Sequence, residues 1–179
     1  WDSWKHAAAL ARFNPELAKN QIRSIFDYQM KDGMIIDCIY VDPDENNYRN
    51  SKPPLAAWAV NEVYEKTKDI DFLREMYPKL LKYHMWWFQK RDHDRNGICE
   101  FGSVDGTLEA AAWESGMDNA IRFDDTGILK NDSNAWSMDQ ESVDLNCFLV
   151  LERNLLCKFA DILDEPFVIG VKSKEIANY

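Results

Sequence analysis

The sequence predicts an all-α fold, and within that class a toroid of antiparallel helix pairs, an α/α barrel, of which this chain forms about half. Three observations lead there. Apolar residues recur at helical spacing through most of the chain. Helix starts carry capping residues and early prolines. Long polar connections, of a kind uncommon in helical domains, separate successive helix pairs and gather at one end of them. A two-layered ring of this kind needs about twelve helices, and the helical segments supply roughly half of them. No short period or signature of a helical repeat array appears.

The elements follow in order. "DSWKHAAALARF" has Ala/Leu spacing behind a Ser/Asp start. "NPELAKNQIRSIFDYQM" opens on an Asn cap with Pro in the first turn and Glu after it, and Leu17, Ile22, Ile25 and Phe26 form one apolar face. Residues 30–51 form a long loop. "KPPLAAWAVNEVYEKTKD" starts a third helix with its prolines where a helix tolerates them. "IDFLREMYPKLLKYHMWWFQKRD" is long and amphipathic, with a kink or restart expected at Pro78. Residues 92–112 and 121–139 are expected as long loops, and "QESVDLNCFLVLERNLLCKFADILD" is the last strong helix, ahead of "EPFVIG".

Composition narrows the function. A chain of 179 residues is enough for one core and one domain. No stretch of about 20 apolar residues exists, so no membrane span is expected. The net charge of −10 and the lack of a basic stripe argue against nucleic acid as a partner. Acidity suits a cation site or a neutral or cationic substrate. The chain opens on "WDSWKHAAALARF", without a Met or a secretory signal, and is expected to be a fragment or processed piece whose compartment is not legible. Cys38, Cys99, Cys147 and Cys157 have no zinc-site spacing; Cys147 and Cys157 are expected as core thiols. The seven Trp supply a large aromatic core or, where they stand beside acids, stacking faces for sugars whose hydroxyls need polar partners.

Three motifs combine acids with turns or rings. In "RDHDRNGICEFG", Asp92, Asp94, Asn96, Gly97, Ile98 and Glu100 fall at positions 1, 3, 5, 6, 7 and 9 of a calcium loop. Ser103 stands where position 12 would carry Glu, so a further carboxylate has to come from elsewhere; the plain alternative is a polar turn. In "WESGMDNA", Glu114 and Asp118 are four residues apart behind Trp113, with Gly116 permitting close approach of a ligand or an unusual backbone angle. The alternative is a helix cap with surface acids. "WDSW" sets Trp1 and Asp2 together as sugar-binding groups or as a capped helix start, and Lys52 in "NSKPPLAAW" either donates to a hydroxyl or is solvated.

These stretches, with "SKPPLAAWAVNEVYE", "EMYPKLLKYHMWWFQKRDHDRNGICEFG" and "QESVDL", resemble glycoside hydrolase family 63, most closely its bacterial α-glucosidase branch, related to processing α-glucosidase I. The resemblance runs in order to about residue 165; the tail "VIGVKSKEIANY" adds nothing to it, and trehalases carry a similar acid-bearing motif. It implies an (α/α)6 barrel, with residues 1–179 as a partial catalytic domain lacking the C-terminal half. It also implies inverting hydrolysis of an α-glucosidic bond. The Asp of "ESGMD", Asp118, is by resemblance the general acid, a carboxylic acid that holds its proton near neutral pH and gives it to the leaving oxygen. The general base belongs to the missing half. Trp1, Asp2, Lys52, Trp113, Glu114 and Gly116 fall where the family builds its glucose pocket. Asp92, Asp94 and Asn96, with the Ile98 carbonyl and Glu100, match the calcium loop of bacterial members, and Glu141 matches a ligand from another loop. That Ca2+ would be structural. The stretches 103–112 and 124–139 are short against the insertions of bacterial members, so a different rim around the pocket is expected.

The expected partners are an α-glucosyl oligosaccharide or small glucoside and the remaining half of the barrel, with a bacterial cytoplasm or periplasm as the implied setting. Half a ring should expose apolar surface meant for its complement, leaving the isolated piece marginal or self-associating. Three rival readings stay open. One is a hydrolase of trehalose, glucosylglycerate or mannosylglycerate on the same fold. The second is a non-catalytic helical carbohydrate-binding module, and the third is a plain structural helical fragment.

Overall fold

The computed structural model describes residues 1–165. The segment "VIGVKSKEIANY" lies outside them, as does the end of the expected 1–179 domain. Helix α1 (Asp2–Leu10) runs into α2 (Pro15–Phe26), whose Asn14 cap accepts a hydrogen bond from the Leu17 N–H at 3.1 Å. Ile22 and Phe26 of the expected apolar face are buried and Ile25 packs at the core's edge, but Leu17 in the first turn is half exposed. Helix α3 (Ala56–Thr67) is the hub, packing against α1, α2, α4 (Ile70–Lys90) and α6 (Val143–Leu163). Its buried face is rich in small residues, Ala56, Ala57, Ala59, Val60 and Val63, which lets neighbouring helices approach closely.

Helix α4 is continuous through Pro78 instead of restarting there. A proline inside a helix costs about 3 kcal/mol. Burying a large apolar side chain gains roughly 1.5–3 kcal/mol, and α4 buries Phe72, Leu73, Met76, Leu80, Trp86 and Trp87 almost completely. Tertiary packing outweighs the local penalty. Asp69 caps the helix through the Phe72 N–H at 3.0 Å.

The all-α expectation is corrected in the two later connections. A three-stranded antiparallel sheet, in the order β1-β3-β2, is formed by β1 (Glu100–Ser103), β2 (Ile128–Asp132) and β3 (Ala135–Glu141). A short helix α5 (Leu108–Ser115), capped by Thr107, occupies the rest of the first of these loops. The strands are too short and too polar to carry a clear alternation, and pairing across distant segments supplies their order. Gly102 is where β1 and β3 close: a Cβ there would come within 1.9 Å of the Trp136 carbonyl oxygen. Trp86 and Trp87 meet edge-on at 5.1 Å, and Trp87 reaches Phe101 of β1 at 6.5 Å, so α4 carries the sheet on aromatic contacts.

Cys147 is exposed and Cys157 only partly buried, so neither is the expected core thiol; α6 turns its Leu145, Leu149, Leu156 and Phe159 inward instead. Large apolar side chains stand in solvent at Phe13, Val41, Ile121 and Val143. Among the described residues no helix is long and apolar enough to cross a membrane.

Candidate active site

The start of α1, the loop after α2 and the end of α5 enclose a cavity of about 670 Å³. Trp1, Asp2, Lys52, Trp113, Gly116 and Asp118 all line it, so six of the residues singled out from sequence come together on one concave surface. Asp2 is exposed, with Lys5 at 3.5 Å. The Lys5 ammonium also sits 3.4 Å above the Trp1 ring centroid, which orients the indole from outside. The same indole meets Gly116.

Gly116 ends α5 in the left-handed region, at φ 68°, and a Cβ on it would lie 2.7 Å from the Trp1 ring. Both reasons for glycine therefore hold, although the group that approaches is the protein's own indole. Asp118 follows two residues later in an exposed turn at the cavity wall and has no hydrogen-bond or ion-pair partner among the described residues. A carboxyl group placed there is open to a ligand.

Lys52 is mostly buried and already partnered. Its ammonium donates to the Trp113 carbonyl and stands 3.4 Å from Asp37 Oδ1. Tyr83 holds the adjoining backbone, donating to the Lys52 carbonyl at 2.7 Å; burial pushes this phenol well up from its ordinary range, so it stays a donor. The Trp113 ring is half-buried under the Arg49 guanidinium, 5.1 Å from its centroid.

Glu114 is a correction. It does not face the cavity; it is completely buried on the other side of α5. Its carboxylate accepts four hydrogen bonds, from Arg91 Nε at 2.7 Å, Arg91 Nη2 at 2.9 Å, the Ser51 N–H at 2.9 Å and the Gly102 N–H at 2.7 Å. Arg91 is equally buried and lies against Trp86, 4.7 Å from the ring centroid. This fork-to-carboxylate pair joins the end of α4, β1, α5 and the chain before Lys52. Glu114 thus holds the pocket's backbone and does not touch its contents.

Sequence reasoning missed Arg91 and Asp37. Nothing around Arg91 marks it off from a surface arginine at a helix end. Asp37 had a signal: a lone acid inside "MIIDCIY", where burial is costly without partners.

Beyond the sheet, the loop 92–100 gathers part of the expected metal set. Asn96 Nδ2 donates to Asp94 Oδ2 at 3.1 Å and to Glu141 Oε1 at 2.7 Å, so the three side chains meet across two distant segments. Gly97, in the left-handed region at φ 92°, turns its N–H onto Asp92 Oδ2 at 3.0 Å. Glu100 accepts from the His93 N–H at 3.1 Å, and burial pushes its carboxyl up to about 7. The Ile98 N–H donates to Asn96 Oδ1 at 2.7 Å. No three His, Cys, Asp or Glu side chains close around one point among the described residues; the Asn96 amide stands between the two carboxylates. The oxygen-only donor set nonetheless fits a hard cation.

Comparison with known proteins adds to this geometry. The family described as mannosylglycerate hydrolase MGH1-like glycoside hydrolase domain matches residues 1–166. Mannosylglycerate hydrolase MGH2 of Selaginella moellendorffii is 28% identical over 145 residues, covering 70% of this chain and 28% of that protein. Mannosylglycerate hydrolase of Thermus thermophilus is 29% identical over 146 residues, covering 69% of this chain and 33% of that protein. The crystal structure of a GH63 mannosylglycerate hydrolase from Thermus thermophilus in complex with glucose superposes with a TM-score of 0.70 at 23% identity, over 99% of this chain and 52% of that one. That likeness establishes the fold. The chain spans about a third or less of the curated relatives and about half of the solved chain.

Proposed function

The chain belongs to the mannosylglycerate hydrolase MGH1-like glycoside hydrolase domain family, and on that premise we propose that it is the acid-bearing half of an inverting hydrolase of a small α-linked glycoside. The observation that carries this reading is the cavity of about 670 Å³, with the Trp1 and Trp113 indoles on its wall and, beside them, the Asp118 carboxyl, unpartnered among the described residues. Indoles stack on the C–H faces of a sugar ring while Asp2 and Lys52 meet its hydroxyls. Asp118 gives its proton to the leaving oxygen. In an inverting enzyme a second carboxylate, about 6.5–9.5 Å away, activates water on the opposite face; the family resemblance assigns that base to the part of the ring beyond this chain.

Of the substrate classes the sequence leaves open, the named relatives favour a small glycoside of the mannosylglycerate or glucosylglycerate kind over a longer α-glucoside. Residues 1–165 then form one side of the ring, and the exposed Phe13, Val41, Ile121 and Val143 offer apolar surface to its complement. The same reading would assign a structural Ca2+ to Asp92, Asp94 and Asn96 of this loop, with the Ile98 carbonyl, Glu100 and Glu141 completing the set. Such an ion would tie two loops together and take no part in the reaction.

The test uses the complete protein and its Asp118→Asn variant on mannosylglycerate, glucosylglycerate, trehalose and α-linked glucose disaccharides, with NMR of the anomer first released. Release of the β-anomer, and a loss of at least about 100-fold in the variant, is the expected result. Failure to turn over any of these glycosides would leave a sugar-binding module. An unaffected variant would reduce Asp118 to a surface residue.

A further inference from the structure

The pocket contains an acid that the reaction leaves unused. Asp37 lies on the cavity wall with its side chain only 6% exposed. Its orientation is fixed from one side. Oδ2 accepts from Asn47 Nδ2 at 3.0 Å and from Asn50 Nδ2 at 3.1 Å, and Asn50 is itself completely buried. The Asp37 N–H is also held, by the Asn47 carbonyl at 3.1 Å. The other oxygen, Oδ1, is buried without a hydrogen bond and has the Lys52 ammonium 3.4 Å away. That ammonium uses one of its three donors on the Trp113 carbonyl.

An acid in an apolar segment is a poor device for stability, since a hydrophobic side chain there costs no desolvation. Two amides spent on orienting it point to a ligand. We propose that Asp37 and Lys52 together form a specificity-determining clamp for two neighbouring hydroxyls of a neutral glycosyl ring. One hydroxyl donates to Asp37 Oδ1 and the adjacent one accepts from Lys52 Nζ. Among the described lining residues, the carboxylates of Asp2, Asp37 and Asp118 outnumber the one cationic side chain, Lys52, so a ring carrying its own carboxylate or phosphate is rejected. Any acidic group of the substrate lies on the leaving-group side. This inference rests on the pocket holding the glycosyl ring.

The test is an NMR titration of the complete protein with D-mannose, D-glucose, their monodeoxy forms and D-glucuronate. At least one parent hexose binds, and two adjacent monodeoxy forms of it each bind at least about tenfold more weakly, the lower end for a hydrogen bond to a charged group. Glucuronate binds at least about tenfold more weakly as well. Asp37→Asn weakens binding of the parent hexose but causes no further loss for the form deoxygenated at the Asp37 contact, as coupled partners require. An equal loss on every sugar would make Asp37 structural and overturn the proposal. So would glucuronate binding as well as the hexose, or no hexose binding at all. The deoxy series on the unaltered protein decides even if the variant does not fold. Hexose binding in the expected pattern without turnover of any glycoside would sink the hydrolase reading and leave the clamp standing.

Discussion

Removing the Glu114 carboxylate should collapse stability before it affects recognition. Glu114 and Arg91 are both completely buried, and the carboxylate is the shared acceptor for the guanidinium and for the Ser51 and Gly102 N–H groups. Breaking a buried pair from one side costs about 3–5 kcal/mol, because the surviving charge is stranded. Against a total stability of about 5–15 kcal/mol, Glu114→Ala therefore removes roughly a fifth or more, a shift on the order of 10 °C in melting temperature. Glu114→Gln retains the shape, yet turns an amide N–H2 toward groups that are all donors, and should lose nearly as much. Replacing both partners, Arg91→Met with Glu114→Leu, removes the stranded charge and should recover part of the loss. Two N–H groups then remain unsatisfied at about 1–3 kcal/mol each. Urea unfolding of the complete protein measures each midpoint, and glycoside kinetics on the folded fraction separate stability from binding. A Glu114→Gln protein with the parent's midpoint and a raised KM would refute the reasoning and return Glu114 to the substrate pocket.

Two further outcomes follow from the geometry. Gly116→Ala puts a Cβ 2.7 Å from the Trp1 ring and forces an L residue into φ 68°. It should cost about 1–2 kcal/mol in backbone strain alone and lower kcat/KM by displacing the indole; an unchanged melting curve and unchanged kinetics would show that Trp1 is not seated there. If Ca2+ occupies the 92–100 loop, chelation should lower the melting temperature by roughly 5–10 °C at a starting concentration about 100 times Kd. Glu141→Gln should shrink that difference, and a melt insensitive to chelator would remove the ion from the loop.

Much of the helical scaffold was legible because its causes are local. Asn14 caps the helix it precedes, and the 3.6-residue periodicity of α4 survives even an internal proline. The grouping of Trp1, Asp2, Lys52, Trp113, Gly116 and Asp118 was legible through resemblance, and the cavity gathers all six. The sheet was not, since β1, β2 and β3 owe their pairing to segments far apart in the chain, with Gly102 admitting the Trp136 carbonyl.

Residue type alone also could not separate the acids. Glu114 and Asp118 are four residues apart in one motif, but Gly116 reverses the backbone between them. One carboxylate therefore meets Arg91 in the core and the other meets open space. By itself the sequence determined where the longer helices begin, which acids and indoles cluster in its motifs, and the family. The tertiary structure decided which acid is buried framework, which faces the open cavity, and that Asp37 stands beside Lys52, because burial and partners are set by groups that only folding brings together.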